Sequence, residues 1–271
     1  MVKVAFQGER GAYSEEAVKH FFGEVELLPC PVLADVFKAV STGQAVYGVV
    51  PVENSQAGSI NDTYDLLLNY PLNTYGEVYV RVSHYLMALP GETLKSVKRI
   101  FSHPQAIAQC DEFLRKIDAE ITPTYDTAGS AKMIKEKEMK GSAAIASRNA
   151  AKIYGLNLLA EHIETNPNNY TRFVVISEER PKRAEKNKTS LVFALKNIPG
   201  ALYAALGAFA NRNINLTKLE SRPRRDRPWE YMFYVDFEGH RDDDAWRGAL
   251  DEVREKTTFI KILGSYPRAE E

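Results

Sequence analysis

The chain has 271 residues, of which 26% are charged, and a formal net charge of -1. That length allows a substantial core and two or three folding units, and the charge balance excludes a general attraction to nucleic acid or anionic membrane. Any site for an anionic ligand therefore has to be built locally. The stretch from Met1 to Phe6 lacks the apolar core of a secretory signal, and no apolar run is long enough to cross a bilayer. Cys30 and Cys110 have neither CxxC spacing nor a nearby ligand pattern, so we expect reduced thiols and a soluble cytoplasmic protein.

Val2 to Phe6 reads as a short strand that breaks at Gly8-Glu9-Arg10-Gly11 and opens onto a helix near Ser14, with Ser14 as N-cap. Glycine turns before a helix often hold an anion on free N–H groups, yet this one lacks the Walker lysine and the GxGxxG spacing. A strand at 25–28 and a helix at 33–40 follow. The apolar strand Tyr47 to Val52 then runs into a polar loop, Glu53-Asn54-Ser55-Gln56-Ala57-Gly58-Ser59. Ligands sit at the carboxyl ends of strands in open α/β sheets, which makes Asn54, Ser55 and Ser59 candidate donors. A simple N-cap is the competing role for Ser59.

From Gly76 a long alternating run, residues 78–89, is expected to cross into a second lobe. That lobe holds a strand at 100–102, a helix from Pro104 through Lys116, a strand at 121–125, a helix over 127–137 and a strand at 143–146. Ser147 is expected to cap a helix that Gly155 stops. Ser102-His103-Pro104-Gln105 sits where a strand becomes a helix, with Pro104 suited to the first helical position. His103 is a candidate general acid, since its ordinary pKa is nearest neutrality. The lobe leads to Asn169-Tyr170-Thr171-Arg172-Phe173, expected to be a loop that delivers a hydroxyl, a guanidinium and a ring to the mouth of the strand Val174 to Ser177. Strands alternating with helices in two halves, with two crossings, suggest a hinged clamshell.

Residues 178–188 are polar and aperiodic and read as a linker. Beyond them strands at 189–196, 214–220, 231–237 and 259–263 alternate with a helix carrying Leu202, Leu206 and Phe209 on one face and a helix at 242–254. The order is βαββαβ, the ferredoxin-like arrangement. The basic turn from Ser221 to Pro228 is interrupted by Asp226 and Trp229, which argues against a nucleic-acid patch.

Together these residues resemble one family, prephenate dehydratase with a C-terminal ACT regulatory domain. The resemblance rests on Gly8 to Ser14, Pro51-Val52-Glu53-Asn54-Ser55 with Gly58-Ser59, Ser102-His103-Pro104-Gln105-Ala106 and Asn169-x-Thr171-Arg172-Phe173. It continues in Gly200-Ala201-Leu202, Ile214-Asn215-Leu216-Thr217-Lys218 and Glu220-Ser221-Arg222-Pro223. It implies an α/β fold with a two-lobed, periplasmic-binding-protein-like catalytic domain over 1–180. Lobe one would cover about 1–77 and 174–180, and lobe two about 78–173. A linker at 181–188 and an ACT domain at 189–271 would follow, with no stretch left for a fused mutase or dehydrogenase.

The implied reaction is decarboxylating dehydration of prephenate to phenylpyruvate, water and carbon dioxide in phenylalanine biosynthesis. No cofactor or metal is expected, since aromatisation of the ring drives the reaction. Thr171, Arg172 and Phe173 form the implied catalytic signature. Ser14, Glu53, Asn54, Ser55, Ser59, Ser102, His103 and Gln105 are the substrate-binding candidates. Thr171 is expected to donate to the leaving hydroxyl, with water, His103 or Glu53 as the proton source. The pyruvyl carboxylate is expected on Arg172 or on donors from Asn54, Ser55 and Ser14. Phe173 either packs on the substrate ring or fills the core. Phenylalanine is the expected effector, held between paired ACT domains by Gly200, Ala201, Leu202, Asn215, Leu216, Glu220, Ser221, Arg222 and Pro223. A homo-oligomer, a dimer or a dimer of dimers, follows from that pairing, with no nucleic-acid or membrane partner. Two alternatives stay open: arogenate dehydratase, and a non-catalytic amino-acid sensor.

Overall fold

Hydrophobic periodicity assigns most elements in the computed structural model, which describes residues 1–224 and 230–270. In chain order they are β1 (Lys3–Gln7), α1 (Tyr13–Phe22), β2 (Glu26–Cys30), α2 (Leu33–Ser41), β3 (Tyr47–Asn54), β4 (Gly58–Ser59), α3 (Asn61–Asn69) and β5 (Asn73–Arg81). Next come β6 (Tyr85–Ala88), β7 (Arg99–Ser102), α4 (Pro104–Gln109), α5 (Asp111–Leu114), β8 (Glu120–Pro123), α6 (Thr127–Glu136), β9 (Ser142–Ala146), α7 (Arg148–Tyr154), β10 (Asn157–Ala160) and β11 (Tyr170–Ser177). The last are β12 (Asn187–Ala194), α8 (Ala201–Ala210), β13 (Leu216–Pro223), β14 (Tyr231–Glu238), α9 (Asp244–Lys256) and β15 (Phe259–Pro267).

By contacts the chain divides into two units, residues 1–63 with 78–173 and residues 64–77 with 174–271. The first unit has two lobes, each built on its own sheet. One sheet runs β2-β1-β3-β11-β5 with β4 on β3, and its last two strands continue past the edge of the unit. β1 pairs with β2 and β3 in parallel, and Val4, Ala5 and Phe6 are wholly buried. A strand covered on both faces has no reason to alternate, hence the unbroken apolar run. The other sheet runs β10-β6-β9-β7-β8. Its strands do alternate between two cores. Met87, Phe101, Ala144 and Ala146 pack on α6 and α7, whereas Leu86, Ile100, Ala143 and Ile145 pack on the side of Ala106, Cys110 and Leu114.

Gly11 joins the lobes of this unit. Its φ of 89° is left-handed, and a Cβ there would lie 2.7 Å from the Ala150 Cα of α7. Both the turn and the close approach require glycine.

In the second unit β12 to β15 form an antiparallel sheet in the order β13-β14-β12-β15, with α8 and α9 packed against it. That is the expected ferredoxin-like order. Phe193, Phe209, Phe237 and Trp246 fill its core, the last two stacked with centroids 4.1 Å apart. α3 from Tyr64 onward and the start of β5 lie in this unit as well. Lys188 and Glu77, both buried, form an ion pair at 2.7 Å within it.

Several expectations need correction. α1 starts at Tyr13 with Ala12 as N-cap, so Ser14 caps nothing. The Glu15 carboxylate takes over by reaching back to the Gly11 N–H at 2.7 Å. Glu53 and Asn54 belong to β3 rather than to a loop, and Ser59 is in β4, where it pairs with Glu53 instead of capping α3. The run at 78–89 is two strands, and the helix from Pro104 breaks at Cys110. Residues 170–173 are the start of β11, buried from Thr171 onward, not a loop. β12 begins at Asn187, inside the expected linker. The turn at Asp226 to Trp229 lies outside the described residues.

Candidate functional site

A cleft of about 200 Å³ lies in the first unit, where the end of β3 and the start of β11 meet the starts of three helices. Ala12, Tyr13 and Ser14 line it from α1, His103 and Gln105 from the start of α4, and Asp126 and Thr127 from the start of α6. Asn54, His84, Gln109 and Thr171 close it. Among the described residues that line it there is no lysine or arginine. Positive potential comes instead from the N-termini of α1 and α6. The Tyr13 and Ser14 N–H groups, in the first turn of α1, have no acceptor among the described residues.

Thr171 is positioned by strand pairing. The Ser55 N–H donates to the Tyr170 carbonyl at 2.8 Å, and the Ser55 hydroxyl accepts the Tyr170 N–H at 3.0 Å. Asn54 Oδ1 accepts the N–H groups of Gln56 and Ala57, at 3.1 and 3.0 Å. Its Nδ2 then donates to Thr171 Oγ1 at 3.0 Å and to Asn169 Oδ1 at 2.8 Å. Because the threonine oxygen is already an acceptor, its own proton is available to the cleft.

Asp126 caps α6 through Gly129 N at 2.6 Å while its other oxygen faces Gly8, where a Cβ would come within 3.0 Å. Burial raises its pKa above the ordinary carboxylate range, and Glu9 adds to that, against the pull of the Gly129 N–H. Burial likewise lowers the pKa of His84, although its bond to Gln109 and the charge of Glu164 oppose the change. His103 Nδ1 accepts the Gln105 N–H at 3.2 Å, which caps α4.

Of the residues expected from sequence, the cleft gathers Ser14, Asn54, His103, Gln105 and Thr171. Arg172 and Phe173 do not line it. Strand alternation turns Arg172 to the opposite face from Thr171. Phe173, 2% exposed, fills the core. A carboxylate anchored by Arg172 therefore has no support in this cleft. Glu53 and Ser59 do not line it either. Ser55 holds the 168–170 approach, and Ser102 is wholly buried with its hydroxyl on the Ile145 carbonyl at 2.7 Å. Sequence reasoning missed Tyr13, His84, Gln109 and Asp126. The D-T-A-G capping pattern at 126–129 was a signal for Asp126 alone.

In the second unit Gly200 is the left-handed N-cap of α8, with Ala201 and Leu202 opening the helix. Asn215 precedes β13, its carbonyl accepting the Glu238 N–H at 3.2 Å. Leu216, Glu220, Ser221, Arg222 and Pro223 lie along β13 at the sheet edge. Arg222 grips Asp65 at 2.7 and 3.4 Å. A cavity of about 480 Å³ is lined by Arg222 and Pro223 with Asp65, Tyr234 and Phe259, and by none of the other effector candidates.

A family model described as "Prephenate dehydratase" matches residues 4–181, and one described as "ACT domain" matches residues 189–255. The chain is 44% identical over 277 residues to arogenate dehydratase/prephenate dehydratase 2, chloroplastic, of Arabidopsis thaliana, an alignment covering 98% of this chain and 73% of that protein. Among solved structures, prephenate dehydratase of Arthrobacter aurescens in complex with L-Phe superposes with a TM-score of 0.90 at 34% identity. That match covers 99% of this chain and 90% of the other. A structure described as GqqA, a quorum quenching acylase, also gives a TM-score of 0.90, at 36% identity and 98% coverage of both chains.

Proposed function

This chain belongs to the prephenate dehydratase family and carries an ACT domain, and from that premise we propose that its cleft converts prephenate into phenylpyruvate, water and carbon dioxide. The family activity is that of a lyase-type dehydratase in aromatic amino acid biosynthesis. The observation that carries the proposal is the Asn54 to Thr171 bond. It fixes the threonine hydroxyl as acceptor on one side and leaves its proton for a leaving group on the other.

As the ring carboxylate departs, the electrons of its C–C bond enter the ring and the C–O bond breaks. The oxygen leaves as water once it gains a proton. Thr171 hydrogen-bonds that oxygen, and Asp126, held toward its acid form by burial, supplies the proton. The retained pyruvyl carboxylate rests on the Tyr13 and Ser14 N–H groups and the Ser14 hydroxyl at the start of α1. A cleft wall without cations suits the other carboxylate, which has to lose its charge as carbon dioxide.

Arogenate is the second reading, favoured by a relative named for both activities. Incubation with prephenate and with arogenate, following phenylpyruvate and phenylalanine, separates the two. Turnover of neither, with hydrolysis of an acyl amide instead, overturns both.

Phenylalanine control is supported by the ACT match and by the L-Phe complex of the similar structure. Equilibrium dialysis finding no phenylalanine bound defeats it. Pairing of chains into a homo-oligomer is supported by the open edge of β13, where Leu219 is 45% exposed. The functional division we adopt is 1–180 for catalysis, 181–188 as linker and 189–271 for regulation. Among the described residues no helix is long and apolar enough to cross a membrane.

A further inference from the structure

Side chains far apart in sequence form one hydrogen-bonded chain behind the cleft, and its polarity is set from one end. Asn54 cannot be turned round, because backbone N–H groups of Gln56 and Ala57 occupy its oxygen. Its nitrogen therefore faces Asn169 Oδ1, and Asn169 Nδ2 becomes the group lying 3.0 Å from Gln109 Oε1. His84 Nε2 approaches the same oxygen at 2.8 Å. An amide oxygen accepts only, so His84 must carry a proton on Nε2. Nδ1 of the neutral ring then carries no proton and lies 3.1 Å from the Tyr13 hydroxyl, which donates its one proton to the Ser83 carbonyl at 2.6 Å. With its oxygen occupied twice, Gln109 turns its Nε2 away from these donors, and that group has no partner among the described residues. Gln109 lines the cleft.

We propose that His84 is a positioning residue for the dehydratase site: its Nε2–H locks the Gln109 carboxamide so that the amide nitrogen, not the oxygen, is presented to substrate oxygens. The inference rests on the dehydratase reading. The same chain ends on Thr171, so one relay of fixed polarity orients both groups that flank the substrate. The titratable groups facing His84 are the Tyr13 hydroxyl and the Glu164 carboxylate, whose Oε2 accepts the His84 backbone N–H at 2.8 Å. The locking proton is present in both the neutral and the protonated ring, so this role produces no limb in the pH profile. A proton-donating histidine would produce one.

Two measurements on the full chain test the proposal. Long-range ¹H–¹⁵N spectra of the five histidines, with His84 assigned from its loss in His84→Gln, are expected to show a proton on Nε2. An Nδ1–H tautomer overturns the proposal whether or not the protein turns over prephenate. In kinetics, His84→Leu is expected to lower kcat/KM about 10-fold or more, as misplacement of a substrate-orienting group does. His84→Gln, which keeps a donor near the same place, is expected to recover most of it with an unchanged pH profile. In a Gln109→Ala background, His84→Leu is expected to cost less than about twofold, because the group it positions is gone. Full additivity of the two losses overturns the proposal, as does a pH limb abolished by His84→Gln.

Discussion

Replacing Thr171 with valine removes one hydroxyl and keeps the shape of the side chain. Asn54 Nδ2 has two protons and three acceptors: Asn169 Oδ1 at 2.8 Å, Thr171 Oγ1 at 3.0 Å and the Tyr170 carbonyl at 3.2 Å. Without the hydroxyl both protons still have partners, so the loss is one ordinary hydrogen bond, about 1 kcal/mol. That corresponds to a Tm lower by about 2–4 °C. It leaves the folded population nearly complete, given the usual stability of about 5–15 kcal/mol. The rate should fall much further. A positioned donor contributes on the order of 10²-fold, or about 2.7 kcal/mol of barrier. Initial rates of phenylpyruvate formation, measured beside thermal melts, give both quantities on one sample. Thr171→Ser restores the hydroxyl and is expected within about tenfold of the parent. A valine variant within about fivefold of the parent, at the predicted Tm, refutes the donor role.

Gly11→Ala is expected to destabilise by about 1–3 kcal/mol, since it combines a left-handed φ with a 2.7 Å approach to Ala150; a urea midpoint unchanged from the parent refutes this. Asp126 has a pKa raised in the fold, so the stability it confers is full below its unfolded pKa and is lost as pH rises through the folded value. Asp126→Asn keeps an acceptor for the Gly129 N–H, so its Tm advantage over the parent should be small near pH 3 and open toward pH 7, while turnover falls. A Tm difference that does not change with pH counts against the raised pKa. Glu77→Leu takes from the buried Lys188 ammonium its carboxylate partner at 2.7 Å and should cost about 3–5 kcal/mol, of which the Glu77→Leu/Lys188→Met pair recovers most. Equal losses in the single and double variants, by chemical denaturation, would refute that.

Local sequence was enough for the elements whose reasons are local. Ser147 caps α7 on the Ala150 N–H and Gly155 ends it in a left-handed turn, as expected from the residues themselves. The βαββαβ order of the second unit follows from its alternating runs and turns. Chemistry-bearing motifs were legible as well: Asn54, His103, Gln105 and Thr171 were named from sequence and line one cleft. The three-residue signature at 171–173 could not be resolved into roles. A strand sends neighbours to opposite faces, but only pairing decides which face meets the cleft.

What the sequence by itself determined is therefore the family, the order of elements and a short roster of polar residues, because caps, turns and periodicity act over a few neighbouring residues. Tertiary structure alone decided that Thr171 faces the cleft while Arg172 does not, that Asp126 sits in a partly desolvated corner, and that Asn54, Gln109, His84 and Asn169 share one hydrogen-bonded chain. Asn54 and Asn169 are 115 residues apart. The polarity of an amide at one end fixes a histidine proton at the other only once folding has brought donor and acceptor within about 3 Å.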